Sequence, residues 1–198
     1  DVTVDEDASP STIDLSTVFS DVESNTLSLS VQSNDTDLVT ASIDGATLTL
    51  SYLANANGNT TVVVTATETS TNPTLSVSDT FTVTVNAVND APTVANAISD
   101  VTVDEDASPS TVDLSTEFSD IESNTLSLSV QSNDTDLVTA VIDGTTLTLT
   151  YLANANGNTT VVVTATESTT NPALSVSDTF TVTVNAVNDS PTVANAIS

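Results

Sequence analysis

Residues 46–53 read ATLTLSYL, and residues 80–85 read TFTVTV. In both stretches an apolar side chain alternates with Ser or Thr, so the apolar residues fall on one face of an extended strand. Residues 26–31 (TLSLSV) repeat this pattern, residues 38–43 (LVTASI) give another strand, and residues 60–67 (TTVVVTAT) form a denser β-branched run. The alternation predicts strands of half-buried antiparallel sheets.

Turn signals separate these strands. Gly45 in IDG (43–45) and Gly58 in NGN (57–59) suit tight turns with positive φ. DVTV (1–4) and STIDL (11–15) are interpreted as a first strand that is broken at Pro10. Six or seven short strands without a helix predict an all-β fold, a Greek-key sandwich of the immunoglobulin or cadherin kind, with a closed barrel as the alternative.

The chain is two copies of one module. Residues 1–99 align with residues 100–198 without a gap, and only ten positions differ. We therefore predict two tandem sandwiches, end to end, at 1–99 (with a linker at about 86–99) and 100–198, each large enough to bury its own core. The linker NAVNDAPTV (86–94) has no Gly or Ser spacer and contains Pro92, which predicts a short, semi-rigid connection. Because the chain starts and stops at a repeat boundary, we expect it to come from a longer tandem array.

The charge of the chain excludes several classes of partner. There are 27 Asp and Glu residues and no Lys, Arg, His or Cys, giving a formal net charge of -27. Without basic residues the chain cannot replace the counterions of nucleic acid or bind an anionic membrane surface. No apolar run approaches the length of a membrane span. So acidic a chain could be disordered, but its regular alternation favours a fold, and self-repulsion then predicts that stability depends on cations.

The inward positions of the strands predict the core. Phe19 and Phe118, each just before an acidic turn, are expected to anchor that turn to the core. The outward Ser and Thr are expected to be solvated, with an ice-binding array as a remote alternative. The predicted core residues are Leu27, Leu29, Val31, Leu48, Leu50, Tyr52, Val62, Val64, Phe81, Val83, Val85 and their equivalents, such as Leu126 and Phe180.

The carboxylates gather in four clusters, mostly at predicted strand ends: VDEDAS (4–9), FSDVESN (19–25), NDTD (34–37) and VND (88–90). Each alone could be a solvated surface. If several meet at one place, two bare carboxylates about 6 Å apart repel by roughly 3 kcal/mol at an effective dielectric of 20, which a divalent cation would reverse. Oxygen ligands without His or Cys select Ca²⁺ or Mg²⁺ over zinc or copper, and the irregular coordination of Ca²⁺ suits ligands from separate segments better.

Five segments in this order resemble a cadherin-like domain of the type tandemly repeated in very large bacterial surface adhesins, the extender region of RTX-type adhesins. The resemblance covers all of each 99-residue copy. The segments that carry it are VDEDASP (4–10), FSDVESNTLSLSV (19–31), LANANG (53–58), VTATE (64–68) and VNDAP (88–92), and their counterparts in the second copy. Asn55 and Asn57 stand where the family has acids, and Glu23 and Glu68 stand where it has Asp.

The resemblance implies Ca²⁺ as the cofactor and one complete interdomain site, with half-sites at both ends of the chain. The implied junction ligands are Glu6, Asp7, Asn55 and Asn57 of the first repeat, Asn89 and Asp90 of the linker, and Asp120, Glu122 and Glu167 of the second repeat. The implied half-sites are Asp21, Glu23 and Glu68 at the start, and Glu105, Asp106, Asn154, Asn156, Asn188 and Asp189 at the finish.

The leading functional hypothesis is a spacer of an extracellular, cell-surface adhesin, stiffened by calcium between neighbouring repeats of the same chain. The alternative is an adhesive binding module, either homophilic or glycan-binding. With only four Phe and two Tyr, nearly all required by the core, exposed aromatic anchors are not expected. An enzyme is not expected because no basic or thiol group could assist the carboxylates. We expect a monomer without a small-molecule substrate.

Overall fold

A computed structural model describes residues 1–23, 25–70, 73–170, 172–191 and 193–194. The end of the predicted second repeat, residues 195–198, lies outside this range. The described chain contains strands and turns and divides into two compact units, Asp1–Val88 and Asn89–Ser198. Residues 89–99 therefore group with the second unit.

The first unit is a sandwich of two sheets. Its strands are β1 (Val2–Asp5), β2 (Ser11–Asp14), β3 (Leu27–Ser33), β4 (Val39–Asp44), β5 (Thr47–Tyr52), β6 (Gly58–Glu68) and β7 (Ser76–Asn86). One sheet has the order β1-β7-β6-β3, with β1 parallel to β7, and the other has the antiparallel order β2-β5-β4. The chain crosses between the sheets from β3 to β4 and from β5 to β6, as in a Greek key. This confirms the predicted fold class.

The predicted first strand is two strands in different sheets. β1 pairs with β7, whereas β2 pairs with β5. Pro10 lies between them and cannot donate a ladder hydrogen bond, so the chain leaves one sheet there and joins the other.

The second unit repeats this sandwich and adds a short ribbon. Its strands are β8 (Thr93–Val94), β9 (Val101–Asp104), β10 (Ser110–Asp113), β11 (Phe118–Ser119), β12 (Leu126–Ser132), β13 (Val138–Asp143), β14 (Thr146–Tyr151), β15 (Gly157–Glu167) and β16 (Ser175–Asn185). The sheets have the orders β12-β15-β16-β9 and β10-β14-β13, and β8 pairs antiparallel with β11. The predicted linker thus contributes a strand to the second unit.

The two sheets of each unit enclose one apolar core. Leu48, Leu50, Val62 and Val83 are fully buried in the first unit, as the alternation predicts. Other predicted residues are buried (Val64, Val85, Phe180) or partly buried (Leu27, Leu29, Val31, Tyr52, Phe81, Leu126), and Phe19 and Phe118 pack against their cores as expected. Leu38, Val39 and Ile98 are also buried, although they were not among the predicted core residues.

Turn geometry agrees with the glycine signals. Gly45 has φ 59° between β4 and β5, and Gly58 has φ 143° at the start of β6. Both values favour glycine. Within the described residues, no helix has the length and apolar character needed to span a membrane.

Candidate functional site

Asn89 lies at the centre of a polar cluster in the second unit. Its Nδ2 donates to both carboxylate oxygens of Glu167, at 3.0 Å each. Its Oδ1 accepts a hydrogen bond from Nδ2 of Asn124 at 3.1 Å. One amide side chain therefore connects the end of β15, which carries Glu167, to the loop between β11 and β12, which carries Asn124.

Two more carboxylates of this loop complete the acidic cluster. The backbone N–H of Asp90 donates to Oε1 of Glu122 at 3.2 Å. The backbone N–H of Asn124 donates to Oδ1 of Asp120 at 2.8 Å, which fixes the Asp120 side chain within its own turn. The structure thus brings together five predicted ligands within one unit: Asn89, Asp90, Asp120, Glu122 and Glu167.

Glu167 is almost fully buried, with 2% of its surface exposed. A hydrogen bond from the Thr170 hydroxyl is the largest influence on its carboxyl group and lowers its pKa below the ordinary value of 4.5. Burial opposes this shift, while the Leu174 amide, the Asn89 side chain and the adjoining Asp120 side chain lower the pKa further. Glu167 is therefore ionised at neutral pH beside a second carboxylate.

Asp120 has a carboxylate group that is only partly satisfied by hydrogen bonds. Its Oδ2 atom is buried and accepts no hydrogen bond from the described residues, although it belongs to a charged group. Burying such an oxygen without a partner costs about 1–3 kcal/mol or more. A hard cation would satisfy this oxygen, and every side chain of this cluster offers oxygen.

The cluster does not contain a ready carboxylate cage. Among the described residues, no group of three or more acidic side chains is arranged as a metal site. A bound Ca²⁺ would therefore draw on amide and backbone carbonyl oxygens as well as carboxylates, a mixed donor set that calcium accepts in proteins.

The first unit carries a different acidic cluster at the end of β1. Glu6 is 6% exposed, and its Oε1 accepts the backbone N–H of Val88 at 2.6 Å. Its Oε2 lies 3.5 Å from Nδ2 of Asn57. Asp7 accepts the backbone N–H of Asn55 at 3.0 Å, and both residues have positive φ, 60° and 55°. The structure therefore brings together the four ligands predicted from the first repeat.

The second unit reproduces this cluster. Oε1 of Glu105, 8% exposed, accepts the backbone N–H of Val187 at 2.6 Å, and Nδ2 of Asn156 donates to its Oε2 at 3.3 Å. Asp106 accepts the backbone N–H of Asn154 at 3.0 Å. The other two predicted ligands of this half-site, Asn188 and Asp189, are exposed.

The half-site at the start of the chain is only partly assembled. Asp21 and Glu68 line one cavity of about 170 Å³, and Asp21 accepts the backbone N–H of Asn25 at 2.9 Å. Glu68 is 9% exposed and accepts the Leu75 amide at 3.3 Å. Glu23 is exposed to solvent and does not line this cavity.

Two residues of the cluster around Asn89 were not predicted from the sequence. Asn124 holds Asn89, and its signal was available, because it stands four residues after Asp120 in the same acidic turn. Thr170 holds Glu167 from the loop after β15. Because the chain contains many Thr residues, the contact of Thr170 with Glu167 could not be recognised from the sequence.

No family model matches the sequence, and no curated protein matches it. Among solved structures, the chain is similar to Drosophila N-cadherin EC1-4, with 19% identity, coverage of 93% of this chain and 47% of that chain, and a TM-score of 0.49. It is similar to human protocadherin-24 EC1-2, with 14% identity, coverage of 94% of each chain and a TM-score of 0.47. It is also similar to the endo-fucoidan hydrolase MfFcnA4 from glycoside hydrolase family 107, with 18% identity, coverage of 94% of this chain and 27% of that chain, and a TM-score of 0.37. At these identities and TM-scores, the fold assignment rests on the strand order and register described above.

Proposed function

We propose that this chain is a calcium-stiffened spacer, a pair of extender repeats from a large extracellular adhesin of the bacterial RTX type. The observation that carries the proposal is the buried Oδ2 of Asp120, a carboxylate oxygen that accepts no hydrogen bond in the described chain and adjoins the ionised Glu167. A divalent cation would give this buried oxygen a partner, whereas the chain has no basic side chain to do so.

The anchoring of the connecting segment supports stiffening. Val88 is held by Glu6 through its backbone N–H, and Asn89, the next residue in the sequence, is held by Glu167. Each acidic cluster thus fixes one of two consecutive residues. Calcium at these clusters would remove the repulsion among their carboxylates and leave few free torsions in the connection.

The spacer role is favoured over the adhesive binding module by the placement of the aromatic side chains. All six are buried or partly buried, and the two Tyr hydroxyls hydrogen-bond to Ser11 and Ser110. Binding surfaces for proteins and sugars commonly use exposed Tyr or Trp as anchors. The two copies are nearly identical in sequence, which also fits a spacer, because a spacer does not need repeats that differ from one another.

Calorimetric titration of Ca²⁺ into the chain tests the proposal. Sites of extracellular modules bind calcium with a Kd of about 10⁻⁴–10⁻³ M, and we expect binding in this range. Asp120→Asn keeps the shape of the side chain but removes its charge, and we expect it to weaken binding at least tenfold. Asp143→Asn, at an exposed position of the same unit, is the charge-matched control and should leave binding unchanged.

Two results would contradict the proposal. One is the absence of a binding signal up to about 10 mM calcium, well above the range of extracellular sites. The other is equal affinity of the Asp120→Asn chain and the unaltered chain, which would leave these acids as surface charge.

A further inference from the structure

The strand β3 forms one edge of the four-stranded sheet in the first unit. In the order β1-β7-β6-β3, it pairs with β6 and with no other strand of the described chain. The second unit repeats this arrangement, because β12 pairs only with β15 among the described strands. Both edge strands read LSLSVQS, at 27–33 and 126–132. The same strand therefore ends a sheet twice in this chain.

Alternate residues of β3 direct their backbone groups toward this open edge. In an antiparallel ladder, every second residue exchanges N–H···O=C bonds with the partner strand. The Asn34 N–H donates to the Thr61 carbonyl at 3.0 Å, and the Thr69 N–H donates to the Thr26 carbonyl at 3.0 Å. Even-numbered residues of β3 therefore face β6, and odd-numbered residues face away from it. The residues whose backbone groups point toward the edge are Leu27, Leu29, Val31 and Ser33.

β3 lacks the features that commonly protect an open edge. Edge strands of native proteins are often short, or carry charges, Pro or bulges that prevent pairing with another chain. β3 has seven residues in an unbroken register, and none of them is charged or Pro. The other edge strands of this unit, β1, β2 and β4, have four, four and six residues, and each ends in Asp. β3 is thus the longest of these edges and the one without a carboxylate.

The core-facing side chains of β3 are left partly exposed at this edge. Leu27, Leu29 and Val31 are only partly buried, and the equivalent residues of β12 are the same. On the neighbouring strand β6, by contrast, Val62 and Val64 are 0% and 3% exposed. A further strand beside β3 would therefore bury apolar surface as well as pair backbone groups.

The strand is complementary to a second copy of itself in an antiparallel register. When Ser30 lies opposite Ser30 of the second copy, Leu29 lies opposite Val31 and Leu27 lies opposite Ser33, and these pairs join backbone groups that point toward the edge. Core-facing side chains then meet core-facing side chains, and the outward Ser and Gln meet one another. Charge favours the same partner, because in a chain with a net charge of -27 an uncharged edge allows two copies to approach with little repulsion.

We propose that β3 and β12 are self-association edges, at which the strand LSLSVQS of one chain pairs antiparallel with the same strand of a second copy. The two four-stranded sheets then continue into each other across a two-fold axis. A single strand pair is a small interface, so the association is weak and reversible. Asp21 and Glu23 precede β3, and Asp35 and Asp37 follow it, so salt should strengthen the association by screening these carboxylates. This inference departs from the monomer expected from the sequence, and it rests on backbone and apolar contacts rather than on calcium.

Sedimentation equilibrium of the full chain tests the proposal, in chelator and at about 0.5 M NaCl, where charge repulsion is screened to a few ångströms. We expect reversible association at protein concentrations of about 0.1–1 mM, the range of weak complexes. Ser30→Asp combined with Ser129→Asp places like charges opposite each other in the contact and should weaken association at least tenfold. Ser78→Asp combined with Ser177→Asp adds the same charge at exposed positions of the central strands β7 and β16, and this control should leave association unchanged.

Amide hydrogen exchange followed by NMR distinguishes strand pairing from other modes of association. The N–H groups of Leu29 and Val31 point toward the edge, and they should exchange about twofold more slowly when half of the chain is associated. The N–H groups of Ser30 and Gln32 already face β6 and are the internal control, with little change expected.

Three results would overturn the proposal. A chain that stays monomeric up to about 1 mM would exclude a second copy as the partner of this edge. Association that persists in the Ser30→Asp, Ser129→Asp chain, or that is lost equally in the control chain, would contradict the assignment to β3 and β12. Unchanged exchange of Leu29 and Val31 in the associated chain would exclude strand pairing. Because calcium is absent throughout, none of these results affects the proposed spacer function.

Discussion

The substitution Ile98→Ala tests whether residues 89–98 belong structurally to the second unit. In the sequence repeat, position 98 belongs to the first copy, yet Ile98 is only 7% exposed and lies among the core residues of the second unit. The substitution removes three buried carbons, which at about 0.8 kcal/mol each amounts to about 2.4 kcal/mol of lost burial. The cavity left behind raises the expected loss toward the upper end of about 2–5 kcal/mol.

The two tyrosines make the assay specific for each unit. Tyr151 lies in the core cluster of the second unit, and Tyr52 packs against the core of the first. With Tyr52→Phe as background, denaturant unfolding followed by Tyr151 fluorescence reports the free energy of unfolding of the second unit. With Tyr151→Phe as background, Tyr52 reports the first unit.

We expect Ile98→Ala to destabilise the second unit by about 2–5 kcal/mol and to change the first by less than about 0.5 kcal/mol. Val22→Ala, at a residue that is 95% exposed, is the control and should change neither unit. A loss below about 0.5 kcal/mol in the second unit, or an equal loss in both, would refute the reasoning that Ile98 completes one core.

Three other predictions concern single features. The backbone N–H of Ser115 lowers the pKa of Asp113, and that of Ser16 lowers the pKa of Asp14, so both carboxyl groups should titrate below 3.8 by NMR. Because folding lowers these pKa values, each turn stabilises the fold above pH 3.8 and loses this contribution as the pH falls through the folded pKa. Titration midpoints at or above 3.8 would contradict the assignment. Gly157→Ala should destabilise the second unit by about 1–3 kcal/mol in thermal unfolding, because an alanine is strained at a φ of 147°. The added Cβ would meet only Leu137, at 3.7 Å, so the cost comes from the backbone and not from a clash. An unchanged melting temperature would be inconsistent with this backbone conformation. Glu167→Gln should lower the melting temperature in chelator relative to Asp143→Asn, because the lowered pKa of Glu167 means that the fold stabilises its charged form. It should also reduce the rise in melting temperature on adding calcium, and an undiminished calcium response would exclude Glu167 as a ligand.

The strand pattern was predictable because alternation and burial have the same period. Leu48 and Leu50 are two residues apart and both are fully buried in the core. Their neighbours on the opposite face are less buried: Thr47 is exposed and Thr49 is partly buried. The splitting of the first strand was not predictable, because β1 and β2 show the same burial alternation and only their partners differ. Local sequence carries the period of a strand but not the sheet that it joins.

The structural role of residues 89–98 was harder to predict from the sequence. TVANAIS has only Val94 and Ile98 as large apolar residues, four positions apart, which does not alternate like a strand. Its role depends on its partners in the fold, since Ile98 is buried in one cluster with Leu114, Leu147 and Phe180. A linker was therefore the natural interpretation of a segment that is part of a sandwich.

The candidate site was predictable in its residue types and less so in its contacts. The clustering of acids identified Asp90, Asp120 and Glu122, and the resemblance added Asn89 and Glu167. The supporting contacts of Asn124 and Thr170 depend on loop geometry that no spacing rule gives. Calcium binding remains a prediction of this arrangement.

Small-angle X-ray scattering of the two-unit chain, in about 1 mM calcium and then in excess chelator, tests the spacer proposal most directly, because extracellular sites fill in this range. The account predicts a longer, stiffer particle with calcium and a shorter, more variable one after chelation. Scattering profiles that superimpose under the two conditions would contradict it.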